Sequence, residues 1–250
     1  MKFQSCLRSS IIFLIVFISS SNGKFSPYIK ICSRNDPNIE QCIVDSVMKL
    51  QPLLRSGKLI EDYQVPSIEP FIYDDLVIDH GPGFRIELKD LKSWNGSNFE
   101  IVNAKVNLEK LTFDFTVTMP NVKMVGKYKM SAKLPLLELS GNGEMTNLLK
   151  NSRMRIKLYA TQFNEDGKNR IKFTKANVRF FKGESQITLT NLFNGDPTLS
   201  MIGNQVVNDN QDIFTKEVMP ALEAQFSKSF MEVANKIVAN STYDEILPDS

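Results

Sequence analysis

A chain of 250 residues with a single histidine has few routes to acid–base chemistry at neutral pH. That histidine, His80, follows Asp79 and precedes the turn Gly81-Pro-Gly83; to drive hydrolysis it would need a serine whose hydroxyl it could deprotonate. No Gly-x-Ser-x-Gly elbow occurs, so His80 reads as a surface turn residue and no catalytic residue is expected. One histidine and two cysteines that should be oxidised leave only scattered carboxylates, so neither a metal nor another cofactor is expected. Gly141-Asn-Gly143 lacks the third glycine and the Lys-Ser/Thr ending of a phosphate loop, and two glycines after a strand read as a turn or bulge. Tyr128 keeps a chemical handle: it lies on the apolar side of its strand, where the hydroxyl needs a partner that a ligand oxygen could supply.

Residues 1–23 have the form of a secretory signal. Lys2 and Arg8 supply the positive end, Ile11 to Ile18 an apolar run, and Ser21 and Gly23 the small residues before a cleavage point. The run falls short of the ~20 apolar residues a membrane span requires, so a secreted extracellular protein with no membrane span is expected. The segment carries two bases and no acid, leaving 28 Lys and Arg against 28 Asp and Glu. Lys123, Lys127, Lys129 and Lys133 fall on alternate strand positions and form a solvated face, which argues against a nucleic-acid partner. Cys6 leaves with the signal, and in an oxidising compartment Cys32 and Cys42 most simply pair, a short loop closure worth about 2 to 3 kcal/mol. Asn95-Gly-Ser97 and Asn240-Ser-Thr242 fit the N-glycosylation pattern.

The elements that must position these residues follow from periodicity. From Gln211 to Ala239, Phe214, Val218, Leu222, Phe226, Phe230, Val233 and Ile237 recur by fours and threes, predicting one helix about 40 Å long at about 1.5 Å per residue. Ile213, Met219, Ala221, Ala234 and Val238 widen the stripe, while Lys216, Glu217, Glu223, Lys228, Glu232 and Lys236 form a narrow wet face. Pro220 is expected to kink the helix without breaking it, because the stripe keeps its phase. Asp36-Pro37 should open an earlier helix carrying Ile43, Val47, Leu50 and Leu54, ended by Gly57. Between the helices the period is two: Phe113 to Met119, Val122 to Leu134, Met154 to Ala160 and Ile171 to Phe180 alternate with polar residues, the last with a phase slip. The thirteen-residue run from Val122 implies strong curvature or a bulge, with Gly126 as the bend. Asn194-Gly-Asp-Pro197 ends the sheet, and the long helix follows. No linker or repeat interrupts the chain, so residues 24–250 are expected to form a single domain, and a monomer.

The chain is similar, over essentially its whole mature length, to the insect takeout and juvenile hormone binding protein family. The resemblance rests on Cys32 with Asp36-Pro37 and Cys42, Leu50-Gln-Pro-Leu-Leu54 followed by Val65-Pro-Ser-Ile-Glu-Pro70, Gly126-Lys-Tyr-Lys-Met130, Leu134-Pro135 followed by Gly141-Asn-Gly143, Met219-Pro220 and Tyr243 to Pro248. It implies an α+β fold in which a strongly curved antiparallel β-sheet wraps a long C-terminal helix, a super-roll of the lipid-binding TULIP-like kind with an elongated apolar channel. Members are secreted carriers, in haemolymph or other extracellular fluid, of terpenoids such as juvenile hormone or other small hydrophobic ligands, and takeout-like members are associated with feeding, circadian and chemosensory physiology. Tyr128 matches the tyrosine that bonds the hormone's epoxide in the hormone-binding branch. That branch has a second cysteine pair; this chain, with Cys32 and Cys42 alone, resembles the takeout-like branch.

A non-catalytic carrier of a terpenoid or fatty acyl ligand would line its channel with Phe115, Val117, Met124, Tyr128 and Met130 from the strands and Val218, Leu222, Phe226 and Phe230 from the helix. The seventeen phenylalanines and ten methionines are equally compatible with a solid core in a signalling protein that acts through a surface receptor site. An esterase of apolar esters is a third reading and requires His80 beside a serine or an acid. A cavity under the helix separates the first reading from the second.

Overall fold

The computed structural model describes residues 29–60, 63–64, 67–81, 83–133 and 138–249. The signal segment 1–23 lies outside the described residues, as do Val65-Pro66 and Leu134-Pro135 of the family-like motifs. Helix α1 (Ile39–Ser56) comes first, followed by a small pair β1 (Lys58–Ile60) and β2 (Tyr63–Gln64). The main sheet contains β3 (Phe71–Ile72), β4 (Leu76–Asp79), β5 (Phe84–Trp94), β6 (Glu100–Asn107), β7 (Thr112–Lys133), β8 (Glu138–Glu165), β9 (Lys168–Phe181) and β10 (Glu184–Leu189). Helices α2 (Pro197–Asp209), α3 (Gln211–Val238) and α4 (Tyr243–Ile246) complete the chain.

Two very long antiparallel strands form the sheet's spine: β7 has 22 residues and β8 has 28, paired from Thr112↔Tyr159 to Lys133↔Glu138. The free side of β7 is shared by β6 and β5, and that of β8 by β9 and β10. Strands β3 and β4 add to β5. Strands this long twist and coil rather than lie flat, and local irregularities set where they bend. Met119 is the last odd-numbered inward residue of β7 and Val122 the first even-numbered one, the change of phase falling at exposed Pro120 and Asn121. The alternating runs on either side of Pro120 thus belong to one strand, whose ladder with β8 continues from Met119↔Ser152 to Asn121↔Lys150 past the proline. At Gly126 the irregularity sits on the neighbouring strand: β5 shifts register between Lys89 and Lys92, with Asp90 at φ 52°, and a Cβ on Gly126 would lie 3.0 Å from the Leu91 Cα. The phase slip expected in β9 is a register shift opposite Tyr159 and Ala160 that leaves Thr174 unpaired.

A curled sheet has two edges, and each exposes unpaired backbone groups. Here helical side chains satisfy them. Asn204 and Asn208 on α2 each accept from and donate to the backbone of one β10 residue, Leu189 and Ile187 respectively, at 2.7–2.9 Å. Gln211 donates to the Ser185 carbonyl at 2.8 Å. Further along α3, Glu223 accepts from the Phe180 N–H at 2.9 Å, and Asn235 makes the two-way pair with Phe173 of β9. Gln225 reaches the opposite edge, pairing both ways with Asp74 between β3 and β4. Gln51 of α1 donates to the carbonyls of Ser97 and Phe99 just before β6. The long helix therefore spans the seam between the two edges of the roll.

Several expectations are corrected by this arrangement. Glu223, assigned to the wet face, is 7% exposed, because edge strand β9 runs beside it and Arg179 pairs with it at 2.6 Å. Ile213, assigned to the buried stripe, is 39% exposed. The segment after Asn194-Gly-Asp-Pro197 is a separate helix, α2, with the Asp196 carboxylate capping the Leu199 N–H and Pro197 opening the first turn. At the first helix Asp36 caps the Asn38 N–H, and the helix proper starts at Ile39. Gly141 and Gly143 are neither turn nor bulge but ordinary ladder positions of β8, opposite Met130 and Tyr128. Helix α3 runs unbroken through Pro220, and Gly57 ends α1 in the left-handed region at φ 75°.

Removing one of the paired amides strands two backbone groups at a sheet edge. Asn208→Ala or Asn235→Ala should lower the unfolding free energy by about 1–3 kcal/mol, measured by urea denaturation. Lys236→Ala, which breaks only a surface pair with Glu232, should change it by less than about 0.5 kcal/mol.

Candidate functional site

The alternation that builds the strands also builds an interior. Phe113, Phe115, Val117 and Met119 before the phase change and Val122, Met124, Tyr128 and Met130 after it face inward from β7. Met145 and Leu149, then Met154, Ile156 and Leu158, do so from β8. The stripe of α3 lies across them, and between helix and sheet runs an apolar cavity of about 480 Å³. All the expected channel residues, Phe115, Val117, Met124, Tyr128, Met130, Val218, Leu222, Phe226 and Phe230, are on its wall. The inward face of α1, with Ile43, Val47, Leu50 and Leu54, lines it too. The sequence showed that face as amphipathic without saying what it covered. Phe181, the last residue of β9, is both on the wall and 52% exposed.

Phe226 centres an aromatic cluster that crosses the seam. Its ring stacks on Phe71 of β3 at 4.4 Å and meets Phe180 of β9 edge-on at 5.0 Å, with Tyr73 and Phe230 at 5.5 and 6.2 Å. Phe71 and Tyr73 follow the Pro-rich segment, whose short strand gave too little alternation to place them on the wall. The Tyr73 hydroxyl donates to Ser93 Oγ at 3.2 Å, and burial raises its pKa far above the ordinary phenol value.

The structure gives the Tyr128 hydroxyl to the protein itself. Its Oη donates to the Thr190 carbonyl at 2.7 Å, leaving the ring to line the cavity, and burial pushes its pKa up to about 12, so it stays a neutral donor. The two β8 glycines make room for this bond. A Cβ at Gly141 would lie 2.5 Å from Tyr128 Oη and one at Gly143 would lie 2.4 Å from the Thr190 oxygen, both inside van der Waals contact. The lysines of the wall are also paired: Lys30 with Asp45 and Lys182 with Asp212, each at 2.9 Å.

Other expected residues lie off the cavity. His80 is 57% exposed in its side chain and its Nε2 is 2.7 Å from Glu217 Oε2, which ties the end of β4 to α3. Among the described residues no group of three or more His, Cys, Asp and Glu could hold a metal ion. Cys32 and Cys42 form a disulfide, both buried, with Cα atoms 5.9 Å apart. Asn95 and Asn240 are exposed, Asn95 at φ 65° in the turn after β5. The Ser97 hydroxyl donates to Glu69 at 2.8 Å, and Thr242 caps α4. No helix among the described residues is long and apolar enough to cross a membrane.

A curled antiparallel sheet closed by one long helix over an apolar cavity defines an α+β roll suited to enclosing small hydrophobic molecules. The chain belongs to the haemolymph juvenile hormone binding protein family, whose sequence model matches residues 11–248. It is 25% identical over 243 residues to the circadian clock-controlled protein daywake of Drosophila melanogaster, covering 91% of this chain and 90% of that one. The Drosophila yakuba daywake is likewise 25% identical, over 240 residues. The crystal structure of Epiphyas postvittana Takeout 1 shares the fold, with a TM-score of 0.75 at 23% identity over 88% of this chain and 99% of that one. This family is one of binding proteins for small hydrophobic ligands.

The glycine clearance around Tyr128 is testable. Gly141→Ala should destabilise the fold by about 1–3 kcal/mol through overpacking, and adding Tyr128→Phe should recover part of that loss, because the atom nearest the new methyl is removed. Chemical denaturation of the two single variants and the double variant measures the coupling.

Proposed function

We propose that the protein is a secreted, non-catalytic carrier that holds one small hydrophobic molecule, a terpenoid or fatty acyl lipid, in the cavity beneath α3. The observation that carries this reading is the cavity itself: about 480 Å³, within the ~300–1,000 Å³ range of small-molecule sites, with a wall of aliphatic, methionine and aromatic side chains. At about 25 cal/mol per Å² of apolar surface, withdrawing a hydrocarbon chain from water supplies several kcal/mol without a charged anchor. The pairing of Lys30 and Lys182 with acids fits that economy. Methionines on both spine strands give the wall side chains that adjust to a guest's outline. Tyr128 contributes its ring.

Secretion is supported by the form of residues 1–23 and by the Cys32–Cys42 disulfide, and residues 24–250 act as one unit. Asn95 and Asn240 are its glycan acceptors. His80 does have an acid beside it, Glu217, as the ester-hydrolysis reading requires, but neither residue is on the cavity wall, which favours carriage.

Protein expressed through a secretory route should carry an apolar guest at one per chain in native mass spectrometry, and extracted lipids should displace N-phenyl-1-naphthylamine from it. Val218→Phe places bulk in the cavity. It should weaken probe binding about tenfold or more while leaving the melting temperature unchanged or raised, whereas in a solid core the same change would cost about 1–3 kcal/mol. No guest, no displacement and a destabilised Val218→Phe would favour a surface-acting protein with a filled interior.

A further inference from the structure

Ser152 is 4% exposed, lies on the cavity wall, and its Oγ has no hydrogen-bond partner. It is the single buried side-chain oxygen in this position among the described residues. Two buried atoms share the lack of a hydrogen bond, Arg34 Nε and Arg170 Nε, but they lie 3.0 and 3.1 Å from the carboxylates of Asp249 and Glu165. Of the other polar groups on the wall, Tyr128 uses Thr190, Tyr73 uses Ser93 and Ser185 uses Asn147, while the hydroxyls of Ser46, Thr215 and Ser229 are not among the fully buried unpartnered atoms. An unpartnered hydroxyl buried among apolar side chains works against folding, and an alanine in its place would carry no such cost.

Its location suits an anchor. Ser152 stands opposite Met119 of β7, immediately before the phase change at Pro120, and follows Asn151, whose φ is 53°. The turn between β9 and β10 packs onto the same stretch of β8, so closely that a Cβ on Gly183 would overlap the Lys150 carbonyl oxygen at 2.0 Å. Phe181, on the wall and half exposed, pairs with Arg153, the neighbour of Ser152. The cation of that region, Lys182, is occupied by Asp212 at 2.9 Å and Gln211 at 3.3 Å, so it offers no unpaired positive charge to a carboxylate.

We infer that Ser152 is the polar anchor of the cavity, hydrogen-bonding a single uncharged oxygen, of an alcohol, ketone or ester, at one end of an otherwise hydrocarbon ligand. The inference rests on the carrier reading and adds to it the class of head group and the residue that selects it. Farnesol and farnesene share a skeleton and differ in a hydroxyl, so displacement of N-phenyl-1-naphthylamine by each, from the full secreted chain, isolates the anchor. Ser152→Ala should weaken farnesol about tenfold, the scale of one buried hydrogen bond, and leave farnesene within about twofold. Ser152→Thr, which keeps the hydroxyl, should retain the preference for farnesol. The ligand-free melting temperature of Ser152→Ala should equal or exceed that of the parent. Equal effects on both compounds, no effect on either, or a Ser152→Ala chain that fails to fold would overturn the anchor. If the parent chain binds neither compound and carries no apolar guest in native mass spectrometry, the carrier reading falls and the anchor with it; if the parent binds both without dependence on Ser152, or carries a guest but binds neither, the anchor alone falls.

Discussion

A sheet rolled into a tube must either close on itself by strand pairing or have its edges served by something else. In this protein helices serve them, through asparagine, glutamine and glutamate side chains that reach the backbone of edge strands. Asn204, Asn208 and Asn235 each present an amide that gives and takes one hydrogen bond with a single strand residue, as a neighbouring strand would. Gln225 does the same on the far edge at Asp74. The cavity depends on this, because a ninth strand in place of α3 would narrow the tube, whereas a helix about 10 Å across holds the edges apart and turns its apolar stripe inward.

The interior is lined mainly by apolar side chains, and its tyrosines and lysines are engaged with the protein. Tyr128 shows how much sequence is committed to one such bond: Gly141 and Gly143 clear the space, and the Thr190 carbonyl is brought to the hydroxyl from the chain beyond β10. A tyrosine tied in this way cannot wander toward a guest, and its ring becomes a fixed part of the wall. The methionines supply the adjustable part.

Much of this was legible in the sequence wherever one residue type decides one outcome. Alternation in β7 and β8 identified the inward residues, and the spacing by fours and threes identified α3, because both periods are dictated by backbone geometry. Apart from Asp196-Pro197, whose cap is local, the misses below are positions where a partner distant in sequence determines the environment. Asp196-Pro197 looked like punctuation, although the same pair at Asp36-Pro37 had signalled a helix. Glu223 looked solvated, since nothing in its neighbourhood announces the β9 edge that buries it. Ser152 is silent in any pattern of polarity, because serine is common on both faces of strands.

The seam under α3 has a mechanical character unlike that of the rest of the roll. Along β7 and β8 the wall is a continuous backbone ladder, and widening it there would unzip residue after residue. Along α3 the two margins are stitched by discrete side chains, Glu223 and Asn235 on one margin and Gln225 and the His80–Glu217 contact on the other, with the rings around Phe226 between them. Lifting the helix undoes those stitches and leaves every strand pair intact. The tube therefore has one compliant side, where a change of girth costs the edge groups those side chains serve and leaves the ladder that gives it shape intact.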